Sequence, residues 1–581
     1  MQKGKGRNNL ITVLLFVVLC VLSAIGIWKT IYFSADIDES YALTMAVRIA
    51  SGERMILDMW EPHQMSAVLY APLVFVYKGI TGSMEGALIF MRICGLVIQA
   101  FVSLFFYRTV RKDMPTWLSL LLAFAYFNFT PKHIASPEFS LLFYWAFMIL
   151  MLCVIRYVRS KQGRWMTAAG IAMSVIVLCY PTALLLFGYV VLWLWGKKEA
   201  FRKKAAGIFT VTCLVCGGLF VFYLVLQGGG FGVFTHVSAI LMDESHNQNL
   251  ASHMFAHMKG VWEMLRIVLA LMVLCHVGRP VLDRKKKNAP LFLGILLLAM
   301  AVYALVQFHA VTDVNFMVFY PIILQVFAVE WYAYAAYPKK EKDRLYFDVA
   351  LPFTIVSVIA ILLSSNVLTA YSMSYFMPGV LLGVWQIYRV FADAEEFEGA
   401  SEKRESCKRR CPYAWMAVVL LVCMMCQLMA ARICLVRFTS TQKKNIFQPY
   451  YEVTHDVLKG VRLGDFDYIQ YEAKSGLLDK YVEKDDAFLY IGADMFLYSQ
   501  LNGTTISTGN AISTPAFGVQ LMHYYQVHPD RIPTVVFVDR EYGADFSQVL
   551  LNEPMKSFME TYFETDRAVM ESAVTVYKRE R

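Results

Sequence analysis

Apolar runs of membrane-spanning length recur along most of this chain. A helix needs about 20 mostly apolar residues to cross a bilayer, and in hydrocarbon its backbone groups must pair internally. On that criterion the sequence predicts spans near 10–31, 86–107, 115–130, 138–156, 165–180, 181–196, 205–227, 261–278, 290–309, 315–336, 346–365, 367–390 and 413–436, about thirteen in all. Segment 66–80 is shorter and carries Pro72 and Lys78, so it is expected to lie along the interface or re-enter the membrane from outside. Charged residues make up only 17% of the 581 positions, against about a quarter in a soluble protein. The expected class is a polytopic α-helical membrane protein.

The loops give the orientation. One set is basic: Lys3/Lys5/Arg7, Arg108/Arg111/Lys112, Arg156/Arg159/Lys161/Arg164, Lys197/Lys198/Arg202/Lys203/Lys204, Arg284 to Lys287, Lys339/Lys340/Lys342 and Lys403 to Arg410. The intervening loops are rich in acids, His and aromatics, and the two sets alternate at every crossing. Basic loops stay cytoplasmic, so the N-terminus is expected inside and the C-terminus outside the cell membrane. The basic start resembles a signal peptide, but its apolar run is too long and no small-residue cleavage site follows, so it reads as a retained first span.

The net charge of +9 therefore reflects topology and does not point to nucleic acid. The twelve cysteines lie inside apolar runs or, for Cys407 and Cys411, in a basic loop, and imply no disulfide framework. The CxxC spacings at Cys213/Cys216 and Cys423/Cys426 are intramembrane, where small polarizable side chains explain them better than a metal does.

From about residue 438 the long apolar runs stop. Short strand-like segments, "AFLYIG" (487–492), "TVVFVD" (534–539) and "AVTVY" (573–577), alternate with helical ones such as "FGVQLMHYYQ". The expected organisation is a transmembrane catalytic domain over 1–437, with an outer loop at 32–85, and a small outer-face C-terminal α/β domain over 438–581. "YIGADMFLY" after a strand is not a dinucleotide fingerprint.

The stretch "YFSADIDESYALTMAVRIASGER" (32–54) follows the first span. It places Asp36, Asp38 and Glu39 at the outer interface, where ionisable groups are costly and usually functional. Asp38 is placed to cap an amphipathic surface helix with Tyr41, Met45 and Ile49 at helical spacing, ended by Ser51-Gly52. A cap needs one carboxylate and this stretch supplies three.

With the aromatic-rich "MWEPHQMSAVLYAP" and the next span after it, this stretch resembles the first outer loop of the GT-C glycosyltransferases, and most of all the branch of protein O-mannosyltransferases and the lipid A aminoarabinose transferase. The resemblance implies a GT-C-like fold and a sugar donor carried on polyprenyl phosphate. It implies Asp38 as general base, Glu39 as its support, and Asp36 completing a D-x-D that admits a divalent metal on Asp36 and Asp38 without requiring one. "SPE" at 136–138 resembles the family's Pro-acid turn before the fourth span and implies a substrate-binding Glu138. The family's Thr-Arg after the acid pair is replaced here by Ser40 and Tyr41. Its later Glu-Lys-Pro is replaced by "EPHQMS" (61–66), and its Lys-Gly-Pro by Cys179-Tyr180-Pro181. Glu61, His63, Gln64, Lys132 and Tyr41 are then the candidates for binding the donor.

Other polar residues in the outer loops are weaker candidates. His253 and His257 stand one helical turn apart, with Asp243, Glu244 and His246 nearby, but without an HExxH-like pattern they read as part of a solvated loop. His309 with Asp313 reads as an interface pair. The expected activity is transfer of a sugar from a polyprenyl-phosphate donor to an extracytoplasmic glycan, lipid or protein. The alternatives are a transporter or flippase of lipid-linked saccharides and a polysaccharide polymerase or ligase. A transporter would place its ionisable groups along a path through the spans.

Overall fold

The computed structural model describes residues 2–131, 134–196, 200–240, 251–260, 345–363, 377–392, 446–492, 494–501, 504–510, 518–540, 553–564 and 567–579, with isolated positions in 262–277 and 418–436. Helices α1 (Gln2–Tyr32), α2 (Ile37–Ala50), α3 (Gln64–Thr81), α4 (Ala87–Val110), α5 (Thr116–Asn128), α6 (Phe139–Ser160), α7 (Arg164–Cys179), α8 (Leu184–Trp195) and α9 (Ala200–Gln227) follow in order. Among the described residues, four segments are long and apolar enough to cross a membrane: Thr12–Tyr32, Ala87–Val110, Phe139–Ser160 and Ala200–Gln227. Shorter apolar helices cover Thr116–Asn128, Arg164–Cys179, Pro181–Trp195 and Tyr346–Leu362. The spans expected at 290–309 and 315–336 lie outside the described residues, those at 261–278 and 413–436 lie largely outside them, and the one at 367–390 is described from 377 onward, where Met377–Ala392 is helical.

Helix α6 is the centre of the bundle and is covered on nearly all sides. Helix α9 leaves Val211, Leu214, Leu219 and Phe222 exposed, as an apolar helix facing lipid does. Charge separates the two ends of the bundle. At one end Arg159 pairs with Asp113, and Arg156 stacks on Phe105 and Trp165. The Tyr32 end of α1 and the Ala87 end of α4 meet at the other end, beside the C-terminal region.

That region holds a short antiparallel pair, β1 (Tyr450–Glu452) and β2 (Arg462–Gly464). It also holds a five-stranded sheet of β3 (Ala487–Ile491), β4 (Thr505–Ile506), β5 (Val535–Asp539), β6 (Val569–Met570) and β7 (Val574–Lys578) in the order β4-β3-β5-β7-β6. Strand β3 runs parallel to β4 and β5, and β7 is antiparallel to β5 and β6. β3 and β5 are buried throughout because both faces of the sheet are covered, which is why they read as unbroken apolar runs. Alternate residues face opposite sides. Phe488, Tyr490, Val535 and Phe537 join the core around Tyr471 and Leu478, and Leu489, Ile491, Val536 and Val538 join the one around Tyr524 and Phe558.

The carboxyl ends of the parallel strands are turned onto α2 and the loop after it. Thr44 Oγ1 donates to the Met495 carbonyl at 2.9 Å, Arg48 Nη2 to the Thr508 carbonyl at 2.8 Å, and Trp60 N to the Gly509 carbonyl at 2.7 Å. In open α/β sheets that edge is the usual ligand crevice. Here it carries the helix that follows the first span.

Candidate active site

The chain turns sharply after α1. Ser34 takes the left-handed backbone region (φ 61°), which a non-glycine residue rarely occupies. Its N–H donates to the Arg462 carbonyl at 2.9 Å. This turn starts α2 two residues earlier than the sequence predicts. The cap is Asp36, not Asp38: Asp36 Oδ1 accepts from Asp38 N at 2.8 Å and the carboxylate is buried. Gly52 (φ 93°) follows the last turn, as expected.

Helix α2 is not an amphipathic surface helix. Nine residues from Glu39 to Arg48 are buried, because α3 packs on it and the Met495–Gln500 segment covers it from the C-terminal region.

Glu39 accepts from Arg92 Nε at 2.9 Å and Nη2 at 2.5 Å, and from Ser136 Oγ at 2.8 Å. Arg92 also donates to the Ile31 and Ser34 carbonyls, each at 2.7 Å. Of the three neighbouring carboxylates, Asp36 and Glu39 are buried and Asp38 is half-buried.

Tyr41 and Glu61 meet in the interior, where Tyr41 hydrogen-bonds Glu61. Burial, reinforced by the Glu61 charge, pushes the Tyr41 phenol well above its usual pKa, so it remains a neutral donor. Arg48 Nη1 lies 3.8 Å from Glu61, and Arg48 Nε donates to Glu53 at 2.7 Å. Burial opposes the Arg48 charge, but Glu53, Tyr524 and Glu61 outweigh it and raise the pKa.

The His63 ring stacks on Phe139 with centroids 3.9 Å apart, and its Nδ1 lies 3.3 Å from the Cys179 carbonyl. Gln64 opens α3, and its Oε1 accepts from Ile56 N at 2.8 Å, which holds the β-branched Ile56 at φ 68°. Glu138 caps α6, accepting from Ser140 N and Leu141 N, each at 2.8 Å. Ser136 and Glu138 thus link the Asp36–Glu39 corner to the His63–Tyr180 side. Lys132, Asp243, Glu244, His246, His309 and Asp313 lie outside the described residues. His253 and His257 contact each other, Nε2 to Nε2 at 3.1 Å, and His253 also contacts the Leu362 carbonyl at 3.0 Å.

Among the described residues no group of three or more His, Cys, Asp or Glu is placed to hold a metal ion. Asp36, one of the two expected ligands, is a buried helix cap.

Arg92 and Arg48 are not among the residues singled out from the sequence, and Ser136 figures there only within the Pro-acid turn, not as a partner of Glu39. Arg92 had a signal, being a cation within a 24-residue apolar helix. Arg48 and Ser136 had none, because their partners lie far away in sequence.

No protein-family model matches the chain, and no curated protein matches it. Solved structures similar to it are of the Archaeoglobus fulgidus oligosaccharyltransferase. One, tethered to an acceptor peptide containing the NVT sequon, has a TM-score of 0.44 at 10% identity over 98% of this chain and 74% of the other. One of AglB with an inhibitory peptide and a dolichol-phosphate has a TM-score of 0.41 at 12% identity over the same shares. A third, with Zn and sulfate, has a TM-score of 0.45 at 10% identity over 97% of this chain and 73% of that one. Superpositions at this level do not define a common fold.

Proposed function

We propose that this chain is a membrane-embedded glycosyltransferase of the GT-C class, which moves a sugar from a polyprenyl-phosphate carrier to an extracytoplasmic glycan, lipid or protein. The observation that carries this reading is the division of roles among the three carboxylates. Asp36 caps α2 and Glu39 is held by Arg92 and Ser136, while Asp38 stands half-buried in the first turn at the end of α1. A carrier's phosphate is held at headgroup level because its tail stays in lipid, and a turn that ends the first span is read as lying at that level.

Asp38 takes the proton of the acceptor hydroxyl as its oxygen attacks the anomeric carbon. The bond from that carbon to the phosphate oxygen breaks, and the polyprenyl phosphate leaves with the electron pair. Glu61, Tyr41 and His63 form the adjoining polar wall, and the C-terminal region, read as an outer domain, holds α2 in place. Arg92 and Arg432 sit toward this end of the bundle and Arg156 and Arg159 of α6 at the other, so these charges gather at the two ends, which supports an interfacial enzyme over a transporter.

The test is a panel of polyprenyl-phosphate sugars supplied to purified protein, with Asp38→Asn alongside. The expected result is consumption of one donor by the wild type and none by the variant. If no donor is consumed while lipid-linked saccharide crosses protein-loaded vesicles, the transferase reading fails.

A further inference from the structure

Arg432 lies within the apolar run 413–436. Its side chain is 2% exposed and lies flat on α1. A Cβ built on Gly26 would come 3.0 Å from its Cγ, Cδ and Nε, so the absence of a side chain at 26 makes the seat. Nη1 donates to the Asn128 carbonyl at the end of α5. Asn128 is itself fixed by Nδ2 bonds to Ser23 Oγ at 2.8 Å and to the Phe124 carbonyl at 2.9 Å. Among the described residues, Arg432 Nε and Nη2 meet no acceptor.

A guanidinium is charged at any physiological pH, and an ion buried without a counter-ion is strongly disfavoured. The three segments that form the seat offer none: 12–32, 116–128 and 413–436 contain no Asp or Glu. They add a second cation, because Lys29 is buried on α1 three residues beyond Gly26, one turn nearer the Tyr32 end. Gly26 is six residues from Tyr32, roughly 9 Å along the helix axis. Nε and Nη2, which meet no acceptor among the described residues, therefore lie about two helical turns from the end of α1 that carries the Asp38 turn.

We propose that Arg432, seated on Gly26 and Asn128, binds the phosphate of a lipid-borne phosphate ester that enters from the membrane. Nε and Nη2 project from one edge of a planar fork, the arrangement that grips two oxygens of one phosphate. Two sources share this chemistry, a polyprenyl-phosphate carrier and a bilayer phospholipid. The carrier assignment rests on the transferase reading above, and the site itself does not.

Binding separates them without any turnover. The full-length protein in nanodiscs is equilibrated with polyprenyl phosphate, with neutral polyprenol of the same length, or with added phosphatidate, and retained lipid is measured by native mass spectrometry. Arg432→Gln is expected to lower retention of a phosphate-bearing lipid by about tenfold or more, the effect of one lost charge-assisted hydrogen bond, and to leave polyprenol unchanged. Arg432→Lys should keep part of it.

Loss confined to polyprenyl phosphate assigns the carrier, and equal loss for phosphatidate assigns a bilayer phosphate. Unchanged retention of both overturns the proposal. Should Arg432→Gln fail to fold, Gly26→Ala decides, because it keeps the charge and displaces the stem. Retention of phosphate lipid equal to wild type in that variant overturns the proposal as well. None of these outcomes depends on sugar transfer, so a failed turnover assay leaves the site standing.

Discussion

Arg92 and Glu39 form a two-point ion pair, Nε to Oε1 and Nη2 to Oε2, with both side chains buried. Because the same guanidinium also takes the Ile31 and Ser34 carbonyls, the end of α1, the turn, α2 and α4 are fixed together. Asp38 is presented from that joint.

Removing either partner leaves the other charge buried and unpaired, at a cost of roughly 3–5 kcal/mol. Glu39→Gln and Arg92→Gln should each lower the thermal midpoint in detergent, and the double variant should lose less than the sum of the two. Additive losses would show that the pair is not coupled.

The neighbouring aspartates should separate by assay. Asp36→Asn keeps a capping side chain and should change stability by only a few tenths of a kcal/mol, while Asp36→Ala should cost about 1 kcal/mol. Asp38→Asn should leave the midpoint unchanged and abolish transfer. Wild-type-like turnover in that variant would remove Asp38 as the base.

Gly95 lies where the 134–138 segment crosses α4. A Cβ there would come within 1.8 Å of the Ala135 carbonyl oxygen, a clash with backbone that no rotamer relieves. Gly95→Ala is expected to displace Ser136 from Glu39 and lower both stability and turnover. Gly79→Ala, where nothing lies within 4 Å, should be neutral or gain up to about 1 kcal/mol.

Arg48 ties three segments together, bonding Glu53 and the carbonyls of Asp58 and Thr508. Arg48→Met should loosen the C-terminal region from α2. Limited proteolysis reads this as faster cleavage between the bundle and the sheet, and an unchanged rate would contradict the docking role.

His528 adds a pH response at the same junction. Its Nε2 lies 3.0 Å from the Leu57 carbonyl. Burial lowers its pKa and Arg531 lowers it further, while the Leu57 bond, Asp58 and Asp530 partly oppose this. A histidine whose folded pKa lies below its unfolded value takes up more protons when unfolded, so stability falls as pH drops below about 6.5. Above that pH the penalty is absent. His528→Gln should flatten the slope of midpoint against pH below about 6.5, and an unchanged slope would place the titration elsewhere.

Local periodicity made several elements legible. The unbroken apolar runs marked α1, α4, α6 and α9, because a span is defined by its own composition. The buried runs at 487–491 and 535–539 marked two sheet strands, and Ser51-Gly52 marked the end of α2. The cap was misplaced by two residues because the turn at Ser34 depends on Arg462, more than 400 positions away. The exposed face expected on α2 was lost for a similar reason, since Met495 and Thr508 meet it from the C-terminal region.

The gathering of acids where the first apolar run ends is legible in the residues alone, since hydropathy and charge are properties of adjacent positions. What Asp36 and Glu39 do follows from packing between distant segments. Glu39 is a structural anion because Arg92 and Ser136, 53 and 97 residues away, converge on it. Asp36 is a cap because a distant strand holds the turn before it. Asp38 is left half-buried by those two commitments. Such assignments depend on charge pairing and burial across separate helices, and side-chain spacing along one helix carries no record of them.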